Sequence, residues 1–443
     1  MKRIFFFLLM LSTLVACEDD DRFSSSGGLM LTFETDTLKM DTVFSRSSSS
    51  TYSFWVHNQN TEGLRLSSVR LSRGNQTGFR VNVDGSYLDN SNGSQVSNLE
   101  IRRKDSILVF VELTPSDTRQ LEPRLVEDDL VFSLESGTVQ KVNLRAWAWD
   151  AERWDHLTLQ HDTVITSARP VIVFGTLTIP QDVTLTLKNT TLYFHDQAGI
   201  DVHGTLITDS CLMRGDRLDR MFAYLPYDRV SGQWGGIRFF ETSTKNVLTD
   251  TEIRNTGDYA VLCDSAAFDA NELRLDLQRC VIHNGEGTGF SCRNANVRLQ
   301  ACQITNMGDD CVAIEGGQAQ IHRCTLAQFY PFNGDRGAAL LFSDYTPLQG
   351  LICDSSIITG YNSDVIMGIQ TDTTHVFEYR FMHALLRTPK VDTADSIRFS
   401  EIIWETPKDS IQGTRHFRLI DEENLIYDFH LDSLSTAKGL GCY

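Results

Sequence analysis

The strongest constraint on how this chain folds is a repeat of apolar positions in its second half. Intervals of 29, 22, 22 and 31 residues separate Ile253, Ile282, Ile304, Leu326 and Ile357. A repeat of this length, interrupted by longer intervals, is typical of stacked coils that carry loop insertions. Because one coil cannot bury its inward face alone, its neighbours must stack on it. We therefore predict an all-β chain whose larger part is a parallel β-helix.

Cysteines follow the same repeat. Cys280, Cys302 and Cys324 are 22 residues apart, and each precedes an apolar anchor by two residues. Cysteines of an exported protein can form disulfides, because the compartment outside the cytoplasm is oxidising. The spacing seen here, however, does not sort the cysteines into pairs. We therefore predict a stack of small buried side chains rather than disulfides or a metal site.

A second strand is recognisable in several coils. Gly257, Gly287 and Gly308 follow the first three anchors by four or five residues and mark tight turns. The strand after the last of these glycines makes Cys311 a residue of the β-helix wall. Beyond about Asp372 the repeat fades, and we predict a last coil and a cap over the open end.

Short strands with alternating polarity fill residues 29–150. Phe79, Val81 and Val83 show the period of two that a half-buried strand requires. Turn dipeptides such as Asp84-Gly85 and Asn92-Gly93 separate such strands. This pattern predicts an antiparallel β-sandwich, and its length suits an immunoglobulin-like domain.

The first 28 residues have the composition of an export segment. Lys2 and Arg3 precede an apolar run, Ile4 to Leu11, which is too short to span a bilayer. We predict a signal peptide over residues 1–16 and a flexible tether over residues 17–28. The β-sandwich then covers residues 29–150, and the β-helix with its C-terminal cap covers residues 151–443.

The end of the signal peptide resembles a bacterial lipobox. Its residues are Leu14-Val15-Ala16-Cys17, and the resemblance implies that Cys17 becomes the lipidated first residue of the mature protein. The acidic run that follows consists of Glu18, Asp19, Asp20 and Asp21. It resembles the surface-export signal of Bacteroides-type lipoproteins, which implies an outer-membrane protein facing the cell exterior. A solvated spacer is the alternative interpretation of this run.

The arrangement as a whole also carries a resemblance. A lipobox, an immunoglobulin-like β-sandwich and a right-handed parallel β-helix with a pectin-lyase-like fold together resemble Bacteroides-type outer-membrane lipoproteins. This resemblance implies a fold and a location, with attachment to the membrane through the lipid alone. It does not imply an activity.

The charge of the chain narrows the choice of partners. The formal net charge is −18 at pH 7. A surface of this sign repels phosphate backbones at long range, so nucleic acid is excluded as an expected partner. A polyanionic polysaccharide would need calcium to bridge the two surfaces.

One acidic pair suggests catalysis. Asp309 and Asp310 begin the sequence Asp-Asp-Cys-Val-Ala-Ile, which resembles the aspartate-pair motif of β-helical polygalacturonases. Paired carboxylates suit glycoside hydrolysis, because one must stay protonated while the other is ionised. The histidine and the Arg-x-Lys element of that family are missing here. A polar turn in register with Gly257-Asp258 is therefore the favoured interpretation.

An insertion between Arg214 and Gln233 is a second candidate site. Its aromatic and basic residues could line a groove for a sugar, and the candidate binding residues are Tyr224, Tyr227, Arg229 and Trp234. Lyase chemistry, with carboxylate-bound calcium and an arginine or lysine as the base, is one interpretation of this insertion. A self-packed loop with ion pairs on its surface is the favoured one.

These observations give two hypotheses for function. The first is a surface lipoprotein that acts as a binding or accessory subunit, with an outer-membrane protein complex or a glycan as its partner. The alternative is a polysaccharide-degrading enzyme, a glycoside hydrolase or lyase. The histidines lack a matching set of ligands, so we predict neither a metal site nor a cofactor.

Overall fold

The computed structural model describes residues 22–167 and 169–443, which divide into two compact units at Trp149 and Asp150. Regular structure in these residues consists of β-strands and short 3-10 helices, as predicted for an all-β chain. Cys17 and the acidic run after it lie outside the described residues. Within the described part, no helix is long and apolar enough to cross a membrane.

The first unit is a β-sandwich. Its strands are β1 (Phe23–Ser24), β2 (Thr32–Phe33), β3 (Thr37–Phe44), β4 (Tyr52–His57), β5 (Gly63–Leu71), β6 (Phe79–Val83), β7 (Ser86–Tyr87), β8 (Gln95–Ile101), β9 (Ser106–Leu113), β10 (Arg124–Leu134) and β11 (Val139–Trp149). One sheet has the order β1-β5-β10-β11-β3, with β8 paired to β5, and the other has the order β2-β4-β9-β6-β7. A 3-10 helix at Asn90–Asn92 lies between β7 and β8.

Alternation explains why these strands form a sandwich. Val109 and Val111 of β9 are fully buried with Leu130 and Phe132 of β10, whereas Phe110 between the two valines is exposed. Most strand pairs are antiparallel, and β3 runs parallel to β11 at one sheet edge. The predicted β-sandwich is confirmed.

The second unit is a stack of coils. Its strands are β12 (Glu152–Asp155), β13 (Thr163–Ile165), β14 (Val171–Phe174), β15 (Thr176–Ile179), β16 (Thr184–Lys188), β17 (Thr191–Phe194), β18 (Gly199–Val202), β19 (Thr205–Asp209), β20 (Leu212–Gly215), β21 (Arg220–Phe222), β22 (Leu225–Pro226), β23 (Gly236–Phe239), β24 (Asn246–Thr249), β25 (Glu252–Arg254), β26 (Tyr259–Cys263), β27 (Leu275–Gln278), β28 (Val281–Gly285), β29 (Thr288–Gln300), β30 (Gln303–Met307), β31 (Val312–His322), β32 (Thr325–Gln328), β33 (Leu340–Asp354), β34 (Ile357–Gly360), β35 (Ile366–Ile369), β36 (Phe377–Met382), β37 (Leu385–Leu386), β38 (Phe399–Ser400), β39 (Ile403–Trp404), β40 (Phe417–Asp421) and β41 (Ile426–Leu431). Further 3-10 helices lie at Tyr227–Arg229, Ala394–Arg398 and Gly413–His416.

Three parallel ladders run along this stack. The first ladder contains β15, β18, β23, β26 and β35, and the second contains β13, β16, β19, β24, β27, β36 and β38. The long strands β29, β31 and β33 belong to both and join them into one sheet. The third ladder is the sheet β12-β14-β17-β20-β25-β28-β30-β32-β34-β37-β39. The predicted parallel β-helix is confirmed.

The apolar anchors form one interior stack on the third ladder. Ile253 pairs with Ile282, Ile282 with Ile304, and Ile304 with Leu326. The next interior residue is Ile358 and not the predicted Ile357. Both isoleucines are fully buried, but Ile357 faces outward and is covered by the C-terminal segment.

The cysteine stack has a hydrogen-bonding role as well as a packing role. Each coil enters the third ladder through a residue with left-handed backbone, such as Ala301 at φ 52°. The next side chain donates to the carbonyl oxygen two residues before it, and Cys302 Sγ lies 3.4 Å from the Gln300 oxygen. The same bond is made from Thr190, Cys211, Thr251, Cys280, Cys324 and Ser356. A small thiol or hydroxyl therefore closes this turn in successive coils.

The last residues of the chain lie on the side of the β-helix. Phe417 and Phe429 of the hairpin β40–β41 pack on the outward residues of β32, β34 and β37. The amide of Gly441 then donates to the Ser355 oxygen at 2.9 Å, and that of Cys442 to Thr325 Oγ1 at 3.2 Å. The sequence predicted a cap over the open end, but these residues cover an outward sheet face instead.

Candidate functional site

The acidic pair Asp309 and Asp310 closes a turn between β30 and β31. Asp310 Oδ1 accepts a hydrogen bond from the Ala338 amide at 2.7 Å and so fixes the start of the next coil. Burial raises the pKa of Asp310, and the nearby carboxylates of Asp309 and Glu315 raise it further. Glu315 is itself engaged in an ion pair, with its Oε2 atom 2.9 Å from Arg293 Nε. Asp309 is exposed. Asp309 and Asp310 thus lie in a polar turn between two coils.

An ion pair fixes the base of the insertion that follows β20. Arg217 Nη2 lies 2.7 Å from Asp219 Oδ2, and Asp219 is only 1% exposed. The guanidinium group of Arg217 also lies over the ring of Tyr227, at 4.3 Å from its centroid. Arg217, Asp219 and Tyr227 of the insertion therefore pack against one another.

The tip of the same insertion is exposed and apolar. It is the hairpin of β21 and β22, where Phe222 is 54% exposed and Tyr224 is 79% exposed. Their rings stack with centroids 5.7 Å apart. Met221 beside them is 39% exposed. The hairpin thus presents an aromatic pair to solvent on a fixed base.

Trp234 is not part of that surface. Its side chain is fully buried in the β-helix core and stacks on Phe194, with centroids 4.0 Å apart. The indole N–H donates to the Arg254 carbonyl oxygen at 2.8 Å. Because the ring has no exposed face, the interpretation of Trp234 as a binding residue is corrected to a core residue.

Arginines stand side by side on the outer face of the third ladder, beside the insertion. Asp228 Oδ1 lies 2.5 Å from Arg214 Nη1 and 3.0 Å from Arg254 Nη2. Arg254 also pairs with Glu252 at 3.2 Å. Arg229, from the same insertion, donates to the Asn424 carbonyl oxygen of the loop between β40 and β41. This contact brings the insertion and the C-terminal segment together.

A cavity of about 380 Å³ lies where these elements meet. It is lined by Asp228, Arg229, Glu252, Arg254, Val281, His283, Asn284, Gln303, Leu425, Ile426, Tyr427, Phe429 and Tyr443. Burial, together with the positive charge of Arg254, lowers the pKa of His283 to about 4. The imidazole is therefore neutral at physiological pH. Of the residues predicted for binding, only Arg229 reaches this cavity.

A Ser–His–Glu arrangement holds the C-terminal segment in place. His416 Nδ1 lies 2.9 Å from Ser435 Oγ, and His416 Nε2 lies 3.1 Å from Glu405 Oε2. Glu405 also pairs with Arg387. The side chains of His416 and Glu405 are at most 2% exposed, so no substrate can reach them. The arrangement is structural.

The outer face of the first ladder carries a smaller cluster. Arg238 Nε lies 2.8 Å from Asp264 Oδ2, and Asp201 lies opposite Arg238 in the strand register. Burial raises the pKa of Asp201, and the charge of Arg238 opposes that increase. Two carboxylates in unlike environments can divide the roles of proton donor and acceptor. Within residues 22–167 and 169–443, no group of three or more His, Cys, Asp or Glu side chains could hold a metal ion.

Comparison with known proteins identifies the fold of the stack. The family model described as "Right handed beta helix region" matches residues 175–326. This part of the chain is a right-handed β-helix. No curated protein matches the chain.

Solved structures give only faint likenesses. The ASH/PapD-like domain 7 of human CEP192 is 11% identical over 29% of this chain and 92% of its own, with a TM-score of 0.19. A family 123 glycoside hydrolase from Clostridium perfringens is 7% identical over 28% of this chain and 26% of its own, with a TM-score of 0.18. At these scores neither likeness bears on function.

Sequence reasoning missed most of the cavity and all of the Asp201 cluster. One signal was available for the cavity: Arg254 and His283 each follow an anchor, at Ile253 and Ile282, and so face outward from the right-handed β-helix. The C-terminal lining residues, from Leu425 to Tyr443, lie more than 140 positions after His283 in the sequence, and no local pattern connects them.

Proposed function

We propose that the protein is a lipid-anchored binding subunit on the outer face of the outer membrane, accessory to an outer-membrane protein complex. The observation that carries the proposal is the exposed pair Phe222 and Tyr224 on its pinned hairpin. The Bacteroides-type assignment, the immunoglobulin-like assignment of the sandwich and lipidation of Cys17 are parts of the same proposal. The lipobox and the acidic run support the location and the lipidation, and the length and alternating strands of residues 29–150 support the immunoglobulin-like assignment.

The hairpin has the properties of a docking element. Aromatic side chains dominate the energetics of protein interfaces, and exposed apolar patches mark interaction sites. Because the ion pair between Arg217 and Asp219 already fixes the base of the hairpin, the tip loses little conformational freedom when it binds a partner. A partner of matching chemistry would present an apolar pocket for the two rings.

Site-specific photo-crosslinking tests the docking element. A photoreactive amino acid at position 224 of the full chain, in cells, should give one discrete adduct with an outer-membrane protein. The same amino acid at position 345, where Tyr345 is 63% exposed on β33, is the matched control and should give none. Adducts that are absent or equal at both positions would contradict the proposal.

The anchor is tested separately. Replacement of Cys17 by alanine should abolish fatty-acid labelling and release the protein from the membrane fraction. Replacement of Glu18, Asp19, Asp20 and Asp21 by alanine should keep the label but protect the protein from external protease. Retained protease sensitivity in that variant would favour the spacer interpretation of the acidic run.

A polysaccharide-degrading enzyme is the second candidate. The observation that favours it is the Asp201, Arg238 and Asp264 cluster, in which the two acids differ in environment. Release of reducing ends or unsaturated products from a polyuronate by the wild type, and not by Asp201→Asn, would establish this function. The Asp309→Asn variant is the control, because Asp309 lies in the turn before β31, whereas Asp201 and Arg238 belong to the earlier strands β18 and β23.

A further inference from the structure

The cavity on the outer face of the third ladder has a chemistry that neither candidate function uses. Its lining combines charged groups, two amides and aromatic rings from distant parts of the chain. Ligand sites typically have volumes of about 300–1,000 Å³ and a few convergent polar groups. At about 380 Å³ this cavity lies at the small end of that range.

Two polar groups of the lining lack a protein partner. Tyr427 Oη and Arg254 Nε are buried, and neither makes a hydrogen bond to any described residue. An unpaired buried polar group destabilises the fold, so such groups are normally satisfied by water or by a ligand. Burial and the nearby acidic residues Glu422 and Asp421 raise the pKa of Tyr427, so its hydroxyl is a permanent donor.

The charges of the lining balance. Asp228 and Glu252 are offset by Arg229 and Arg254, and the imidazole of His283 is neutral. Just outside the lining, Arg214, which pairs with Asp228, adds one positive charge, and Asp421 and Glu422, which lie near Arg229 and Tyr427, add two negative charges. An anionic ligand would be left unpaired in such a site. A neutral ligand with many hydroxyl groups is suited to it, because a hydroxyl both donates and accepts.

The remaining lining suits the flat face of a sugar ring. Tyr427, Phe429 and Tyr443 contribute aromatic surface, and Tyr443 Oη donates to Gln303 Oε1 at 2.8 Å. Planar groups such as the amide of Gln303 and the guanidinium of Arg254 can bridge adjacent hydroxyls. We infer that this cavity binds a neutral sugar residue.

Tyr427→Phe is the decisive variant. It removes only the unpartnered hydroxyl, so the fold should be kept and the melting temperature should stay equal or rise. Tyr345→Phe, at an exposed position on β33, is the matched control. The full chain is held in a detergent without a sugar head group, and saturation-transfer NMR is recorded with glucose, galactose, mannose, N-acetylglucosamine and glucuronate.

The inference expects saturable binding of at least one neutral sugar by the wild type and by Tyr345→Phe. Binding should be about tenfold weaker in Tyr427→Phe, equivalent to about 1.4 kcal/mol. Glucuronate should compete at least tenfold less well than the neutral sugar. Absence of a saturable signal from every neutral sugar, equal affinities in the two variants, or preference for glucuronate would each overturn it. None of these outcomes depends on the hairpin tip or the lipid anchor.

Discussion

The backbone amide of Cys302 donates a hydrogen bond to the sulfur atom of Cys324, one coil further along, over 3.4 Å. In the next coil the amide of Cys324 makes the equivalent bond to Ser356 Oγ at 3.0 Å. The stack therefore joins neighbouring coils through side-chain acceptors. Burial raises the pKa of Cys302 well above its ordinary value, so the thiol stays protonated and unreactive.

Cys324→Ala should destabilise the β-helix more than Cys324→Ser. Alanine leaves the Cys302 amide without its acceptor, at a cost of about 1–3 kcal/mol. Serine can make the bonds that Ser356 makes one coil later. Urea unfolding of both variants checks this, and equal shifts of the two midpoints would show that the sulfur matters only for its volume.

Gly308→Ala should impair folding severely. A Cβ atom at this glycine would lie 1.8 Å from the backbone oxygen of Glu286 in the preceding coil. Backbone atoms of a stacked coil cannot move aside without breaking the ladder. Gly334→Ala is the control, because a Cβ there has no heavy atom within 4 Å. The yield of folded protein and the melting temperature should fall in the first variant and stay unchanged in the second.

Asp310→Asn should keep or raise stability at pH 7, whereas Asp310→Ala should lower it by about 1–3 kcal/mol. Asparagine retains an oxygen acceptor for the Ala338 amide, and alanine does not. The raised pKa of Asp310 means that ionisation disfavours the folded state, and asparagine removes that cost. Thermal unfolding at pH 7 compares the two variants. A large loss in Asp310→Asn would mean that the charge itself is required.

Glu405→Gln should lower stability by about 3–5 kcal/mol, because it leaves the buried Arg387 without its counter-charge. Burial alone would raise the pKa of Glu405, but hydrogen bonds from His416, Arg387 and the Gly413 amide outweigh burial and lower it. The stability from this group is therefore full above about pH 4.5, its value in the unfolded chain, and is lost as the pH falls through the lower folded value.

Denaturant unfolding between pH 3 and 7 measures this dependence. The wild type and Glu423→Gln, which changes an exposed acid, should lose stability in parallel as the medium is acidified. Glu405→Gln should show a shallower slope over the same interval. A slope equal to that of the wild type would place the acid sensitivity elsewhere.

The repeat in the sequence made the β-helix predictable. The prediction failed where the packing of side chains is not periodic. Ile253, Ile282, Ile304 and Leu326 were identified because one rule sets their spacing: each must face the interior. Ile357 was misassigned because two adjacent isoleucines are both buried there, and only the C-terminal segment explains why the outward one is covered.

The functional surfaces were less predictable than the fold. Tyr224 was identified as an aromatic residue of an insertion, but Trp234 at the other end of the same insertion belongs to the core. Spacing does not reveal which aromatic ring turns inward. The cavity residues Arg254 and Tyr427 are 173 positions apart, and only the folding back of the C-terminal segment brings them together.

A stack of coils in which each contacts only its neighbours is expected to fray from its ends. Here the final residues touch Ser355, Thr325 and Gln303, which belong to three successive coils. Residues 441–443 therefore act as a strap along the side of the β-helix. While these contacts are kept, the coils that they join cannot separate one at a time. Mechanical or thermal opening from that end should therefore begin with release of the strap and then proceed over several coils at once.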